Sequence, residues 1–390
     1  MRVLVSTTAN DGHFGPLVSL ARAFVTAGHE VRVAAPISFA TTVTAAGFVH
    51  VPFADAPPHL IGPVMARLPL LSFADADTTV IREVFARIDA QASLPALVAA
   101  IDDWRPDLLL REPAEFGSLA AAERAGVAHL QVAAGMVEMS RLLAELTVEP
   151  LAELAGMAGL PDGAVSEAAA SELVLSSVPE LLDRAGDDAF DPAGIALRYC
   201  DPPPTPQAAE FPTWGDPTHP MVYVTFGSVA GSLPPFAAVF RNALEALAEQ
   251  PLRVFMTVGR RFDRATLDPL PANAQVAAWW PQADLLARAS AVWGHGGFGT
   301  TMGALTAGLP QLVTPLFSSD QRINARHVAA VGAGRVLAPD AAELAGAELS
   351  ALLTEPTYAA RARAVAAEIR ELPPAEAAVS AALHRSSDLT

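Results

Sequence analysis

Residues 289–319 read ASAVWGHGGFGTTMGALTAGLPQLVTPLFSS and contain no Asp, Glu, Lys or Arg. A hydropathy filter alone would take such a run for a membrane span. Its glycines, Pro310, Pro315 and threonines argue instead for a buried strand at Ala291–Gly294, a glycine turn, a helical stretch at Met302–Ala307 and a strand at Gln311–Thr314. Strand, turn, helix and strand in that order make a βαβ unit of a parallel sheet.

The same grammar recurs outward from this segment. Arg2–Ser6 is a short apolar run, Pro16–Ala27 follows with helical spacing ended by Gly28, and Glu30–Ala35 is a second strand. Further apolar runs at Phe48–Phe53, Asp107–Leu110, Ala128–Val132 and Leu173–Ser176 alternate with Ala-rich helical stretches, which predicts a doubly wound domain over residues 1–200. Residues 201–219, DPPPTPQAAEFPTWGDPTH, hold too many prolines for regular structure and read as an interdomain linker. Met221–Thr225, Arg253–Val258 and Gln275–Ala278, with a helix at Phe236–Glu249, join the 291–314 unit in a second doubly wound domain over 220–357. Residues 358–390 read as amphipathic helices at Tyr358–Ile369 and Ala375–His384, expected to pack back toward the N-terminal domain. The fold class is therefore α/β, two Rossmann-like domains expected to face each other across a cleft at the carboxyl ends of their strands.

Composition narrows the chemistry. The 390 residues are 52% hydrophobic, enough for large cores and against disorder. All 25 basic residues are arginine, which removes the Lys of a phosphate-binding loop, the kinase strand Lys and any Schiff-base Lys. A net charge of -17 opposes nucleic acid and anionic membrane surfaces as partners. Cys200 is the single cysteine, so neither an internal disulfide nor a cysteine zinc site can form. With no signal-like segment in MRVLVSTTAN, a cytoplasmic setting is expected and stable membrane insertion is not.

Three motifs in the second half carry chemistry. His295-Gly296-Gly297-Phe298-Gly299-Thr300 lies between strand and helix, where glycines let backbone N–H groups approach an anion. Taken alone, such a cluster is as often a tight turn. Trp279-Trp280-Pro281-Gln282 offers an aromatic face, and Asp320-Gln321 pairs a carboxylate with an amide suited to sugar hydroxyls. Ser228, after the strand Met221–Thr225, is placed to bond a diphosphate or to cap a helix.

Together with the opening GHFGPLVSLARAFVTAGHEVRVAAP, these blocks resemble the nucleotide-sugar-dependent glycosyltransferases of the two-domain GT-B type, family 1, especially the actinobacterial enzymes that glycosylate natural products. The resemblance spans essentially the whole chain. It implies that Trp279 stacks on the nucleobase, that Trp280 and Gln282 lie beside it, that Ser228, His295, Gly296, Gly297, Gly299 and Thr300 hold the diphosphate, and that Asp320 and Gln321 grip the donor sugar. It implies an inverting reaction with His13, expected in the loop after the first strand, as general base for the acceptor. Glu112 or Glu115 would orient His13, and either could instead cap the next helix. Gly303 stands where many relatives carry a ribose-binding Glu, which favours a dTDP-sugar over a UDP-sugar, unless Gly303 serves only helix packing.

The acceptor is expected to be a hydrophobic aglycone such as a polyketide, contacted by Phe14, Leu60, Met65, Phe73 and Met136 or their neighbours; these residues could equally form core or a dimer face. No cofactor or metal is expected beyond the nucleotide sugar. Asp75-Ala76-Asp77 mimics the metal-binding pair of another glycosyltransferase fold, but is expected in a solvated loop. Two rival readings remain. One is a catalytically silent auxiliary subunit, and the other a nicotinamide enzyme, which the absence of G-x-G-x-x-G after the first strand disfavours.

Overall fold

The protein is described by a computed structural model at residues 1–186, 196–201, 205–206, 210–232 and 236–388. Two parallel sheets organise it. The first holds β1 (Arg2–Ser6), β2 (Glu30–Pro36), β3 (Val49–Phe53), β4 (Leu108–Arg111), β5 (Ala128–Val132), β6 (Val174–Ser176) and β7 (Ala196–Arg198), in the order β3-β2-β1-β4-β5-β6-β7. The second holds β8 (Met221–Thr225), β9 (Arg253–Thr257), β10 (Ala274–Ala277), β11 (Ala291–Gly294), β12 (Gln311–Val313) and β13 (Gly334–Val336), in the order β10-β9-β8-β11-β12-β13.

In each sheet the order reverses beside the first strand, between β1 and β4 and between β8 and β11. Such switch points leave a crevice at the carboxyl ends of the strands, where ligands bind. Pairing is in register there, with Ser6 opposite Arg111 and Thr225 opposite Gly294. The sheets are buried on both faces, as parallel sheets require. Val3 and Val5 of β1 join one core with Phe14, Leu17, Leu20 and Phe24, while Leu4 between them faces another with Leu97, Ile101 and Leu119.

The chain divides into two compact units. Met1–Ser177, Asp191–Asp201 and Leu372–Thr390 form one, and Val178–Phe190 and Pro202–Glu371 form the other. The boundary is thus not the single one expected near residue 200, because the chain crosses between units before and after β7. The tail also divides. The helix Ala375–Asp388 lays Ala378, Val379 and Ala382 into the core shared with the helix Asp11–Thr26, whereas the helix Pro356–Glu371 belongs to the second unit.

The uncharged stretch 289–319 is the expected strand, turn, helix and strand, with Val292, Trp293, Ala304, Leu305 and Leu312 buried. Among the described residues one helical run, Phe73–Trp104, is long and apolar enough to cross a membrane by length and composition. It buries Ile81, Ala86, Ala90, Leu94, Leu97 and Ile101 in the core of the first unit, as a core helix does. This run corrects the loop expected at Asp75-Ala76-Asp77. These residues lie in the helix Phe73–Thr79, where the Ser72 hydroxyl accepts from the Asp75 backbone N–H and Asp77 is buried.

Candidate active site

At the switch point of the first unit the chain leaves β1 at Ser6 and enters the helix Asp11–Thr26 through Asn10. The Asn10 side chain accepts from the Gly12 N–H at 2.8 Å, an N-cap supported by Asp11 in the first turn. His13 therefore stands in the first turn of that helix, not in the loop expected. Opposite it, the β1–β4 pairing runs on as the Glu112 N–H donates to the Ser6 carbonyl at 3.1 Å, which brings Glu112 beside Thr8 and His13.

The Glu112 carboxylate is fully buried, and its Oε2 lies 3.0 Å from Nδ1 of His13. Oε2 also accepts from the Ala114 N–H at 2.7 Å, and Oε1 from the Thr8 N–H at 3.2 Å. Burial pushes the Glu112 pKa up, but the neighbouring His13 and these hydrogen bonds outweigh it and hold the group below the usual carboxylate range. A buried carboxylate on Nδ1 favours the tautomer with its proton there and makes Nε2 the basic nitrogen. Glu115 has a different task. It is buried, it accepts from the Ser118 N–H and the Ser93 hydroxyl, and burial followed by the Glu112 charge raises its pKa.

A cavity of about 410 Å³ opens beside this pair, walled by Asn10, Phe53, Met65, Val84, Phe85 and Phe116, with Asp89 and Glu115 as polar lining. The Phe85 and His13 rings lie 5.9 Å apart between centroids. Burial, then the charges of Glu112, Glu115 and Asp55, push Asp89 up to about 7.

The second unit builds an anion cradle. β11 ends at Gly294, and the helix Phe298–Thr306 starts after Gly297, with its first intrahelical bond from the Thr301 N–H to the Gly297 carbonyl at 3.0 Å. The amides of Phe298, Gly299 and Thr300 precede that bond and are the donors an anion would take. Gly296 is required, because it adopts φ +86° and a Cβ there would come within 2.7 Å of the Gln321 carbonyl. The Asn324 amide locks the turn by donating to the Gly296 carbonyl at 2.7 Å. Burial pulls the His295 imidazole down to about 4 against a weaker pull from the Thr225 carbonyl, so it is neutral at neutral pH.

Around the cradle, Trp279 is 55% exposed with the Arg260 guanidinium 4.7 Å above its ring, while Trp280 packs inward against Phe211 and Phe255. The Gln282 amide donates to the Thr300 hydroxyl at 3.3 Å. A Cβ on Gly303 would meet Leu286 at 3.1 Å and Gln282 Oε1 at 3.3 Å, so Gln282 occupies the space over Gly303. No group of three His, Cys, Asp or Glu that could hold a metal occurs among the described residues.

Comparison with known proteins decides the family. Models described as "Erythromycin biosynthesis protein CIII-like" match this chain, the N-terminal domain at residues 22–151 and the C-terminal domain at 241–383. L-demethylnoviosyl transferase of Streptomyces niveus is 34% identical over 353 residues, covering 88% of this chain and 87% of that protein. Elloramycin glycosyltransferase ElmGT of Streptomyces olivaceus is 34% identical over 406 residues, covering 100% and 98%. The chain belongs to the EryCIII-like glycosyltransferase family. It is an enzyme of the GT-B type from natural-product sugar transfer. Among solved structures, the spinosyn rhamnosyltransferase SpnG complexed with thymidine diphosphate has a TM-score of 0.77 at 25% identity, covering 98% of this chain and 99% of that one.

Several expected contacts of this EryCIII-like glycosyltransferase fall elsewhere. Of the acceptor candidates, Met65 lines the cavity. Phe14 is core, edge-on to Phe39, and Met136 is buried at the start of the helix Val137–Leu146. Leu60 and Phe73 are exposed and lie outside the cavity lining. Gln321 is 3% exposed, and its Oε1 accepts from the Leu316 and Phe317 N–H groups, so its carboxamide oxygen closes the loop after β12 rather than presenting itself to a sugar. Asp320 is half-buried in the first turn of the helix Ser319–Ala330, and Ser228 is exposed in the turn after β8. Sequence reasoning missed Asp89, Arg111, Arg260 and Asn324. Arg111, Arg260 and Asn324 act through contacts distant in sequence and Asp89 lines the cavity; only Arg111, a lone charge closing the apolar run before Glu112, left a trace.

Proposed function

We propose that this glycosyltransferase moves a deoxysugar from a dTDP-sugar to a nucleophile on a hydrophobic natural-product aglycone such as a polyketide, with inversion at C1 and His13 as general base. The observation that carries this reading is the buried Glu112 on Nδ1 of His13 beside a largely apolar cavity. His13 Nε2 takes the acceptor proton as the acceptor atom bonds C1 and the C1–oxygen bond to the diphosphate breaks. Glu112 stabilises the imidazolium that forms. The amides at the start of the helix Phe298–Thr306, with neutral His295 beside them, carry the charge of the departing diphosphate. A single displacement at C1 gives inversion.

Trp279 is the platform for the base, and Arg260 covers one face of it. The donor identity rests on Gly303 and Gln282. An amide fills the space where a ribose-binding carboxylate would stand, which suits a sugar lacking the 2′-hydroxyl. The thymidine diphosphate held by SpnG, a relative in fold, points the same way. The lone, unpaired Cys200 suits a reducing, cytoplasmic setting.

Calorimetric titration with dTDP and UDP at equal salt, without added metal, tests the donor half, and turnover of dTDP-deoxysugars with aromatic polyketides by wild type and His13→Ala tests the base. Tighter dTDP binding and an inactive His13→Ala variant are expected. Tighter UDP binding would overturn the donor assignment, and binding of neither would move the silent-subunit reading to the front.

A further inference from the structure

Arg111 is 1% exposed at the carboxyl end of β4, immediately before Glu112. Burying a guanidinium costs several kcal/mol unless every donor finds an acceptor. Here Nε and Nη2 donate to Glu172 Oε2 at 2.9 and 2.5 Å. Nη1 donates to the carbonyls of Glu112 at 3.2 Å, Pro113 at 3.1 Å and Glu115 at 3.4 Å. Those three carbonyls belong to the turn that carries Glu112. The guanidinium also lies 5.3 Å from the Phe116 ring centre.

Behind it, the other oxygen of Glu172 meets His129 Nδ1 at 2.6 Å, and His129 Nε2 meets Glu123 at 2.8 Å. Burial opposes the charge on His129, but the two carboxylates prevail and push it up to about 9. Two cations and two carboxylates thus balance in a chain that starts at the partly exposed Glu123 and runs inward to end on the backbone of residues 112–115. If pairing with Glu172 were its only task, apolar side chains of similar volume could replace both charges. They would leave three inward carbonyls unsatisfied, and a lysine could not reach them as a planar fork does.

We propose that Arg111 is a positioning residue for the His13–Glu112 pair: its guanidinium fixes the turn 112–115 so that the Glu112 carboxylate meets Nδ1 of His13. This rests on the reading of His13 as base, and the test separates the two. The His13 ring is followed by NMR titration in the full chain, its signal assigned by loss in His13→Gln, alongside turnover with a dTDP-sugar. Arg111→Lys should lower the His13 titration midpoint by about one unit, because the carboxylate leaves the ring. It should lower kcat by about 100-fold with donor KM unchanged. Leu97→Ala, which opens a cavity in the same unit's core and removes none of the Arg111 hydrogen bonds, should lose at least as much thermal stability yet keep both the midpoint and kcat.

Should Arg111→Lys not fold, the double variant Arg111→Met/Glu172→Gln, which leaves no unpaired buried charge, reads the same quantities. An unmoved midpoint in a folded Arg111 variant, or a shift equally large in Leu97→Ala, overturns the proposal. Full activity in His13→Ala would instead remove the base assignment while the NMR midpoint still decides the role of Arg111.

Discussion

Asp89 faces the cavity beside His13 from the long helical run, and among the described residues no hydrogen bond or ion pair reaches its carboxylate. Burial, then Glu112, Glu115 and Asp55, push it up to about 7, against about 3.9 in an unfolded chain. Between those values the folded protein holds a proton that the unfolded chain has released. Stability is therefore complete below the unfolded pKa and is lost as pH rises, until Asp89 ionises near 7. Three units at about 1.36 kcal/mol each set a ceiling of about 4 kcal/mol at pH 8, and access of cavity water lowers the working figure to about 2 kcal/mol. Asp89→Asn keeps the shape and cannot ionise. Relative to wild type it should melt about 4–8 °C higher at pH 8, at roughly 2–4 °C per kcal/mol for a unit of this size. The advantage should shrink to about half at pH 5.5. Scanning calorimetry of both proteins across this range measures it. An advantage that does not change with pH, or a lower melting point for Asp89→Asn at pH 8, would show that the carboxylate is ionised and partnered in the folded state and would refute the reasoning.

Three further outcomes follow from the two sites. Glu112→Gln should cut kcat by about 10²–10⁴-fold, because an amide neither fixes the tautomer of His13 nor balances the imidazolium; steady-state kinetics checks this, and near-wild-type turnover would discard Glu112 as partner. Gly296→Ala should cost about 1–3 kcal/mol of stability and at least tenfold in nucleotide affinity, since the 2.7 Å approach of its Cβ to the Gln321 carbonyl must be relieved by moving the cradle. Trp279→Ala removes a half-exposed ring with little packing role, so calorimetry should show nucleotide affinity falling by about 1–3 kcal/mol while the melting temperature stays within about 1 °C.

Most strands were legible because a parallel sheet buried on both faces demands short apolar runs, which stay recognisable with a charge at one end, as at Arg2 and Arg253, or inside a longer run, as at Arg32. β7 and β13 went unread. Each has three residues, Ala196-Leu197-Arg198 and Gly334-Arg335-Val336, and each includes an arginine that breaks the apolar run. The helix start was misplaced for a physical reason too. Pro16 favours the first helical position, yet Asn10 caps a helix that starts at Asp11, more than a turn earlier, and that shift carries His13 from a loop onto a helix.

Within the sites, residue type and position were readable, but the partners already committed to each polar atom were not. Gln321 has the chemistry to hold a sugar and spends its oxygen on the backbone of Leu316 and Phe317. Glu112 and Glu115 are equivalent by type and three residues apart; the turn held by Arg111 sends one to His13 and the other to Ser118. The choice between them was made by a guanidinium whose own anchor, Glu172, lies 61 residues away in the sequence. A buried polar group must be satisfied by whatever the fold brings near it. The last details of such a site are therefore settled by which partner, near or distant in sequence, each polar atom takes, and residue type alone does not encode that choice.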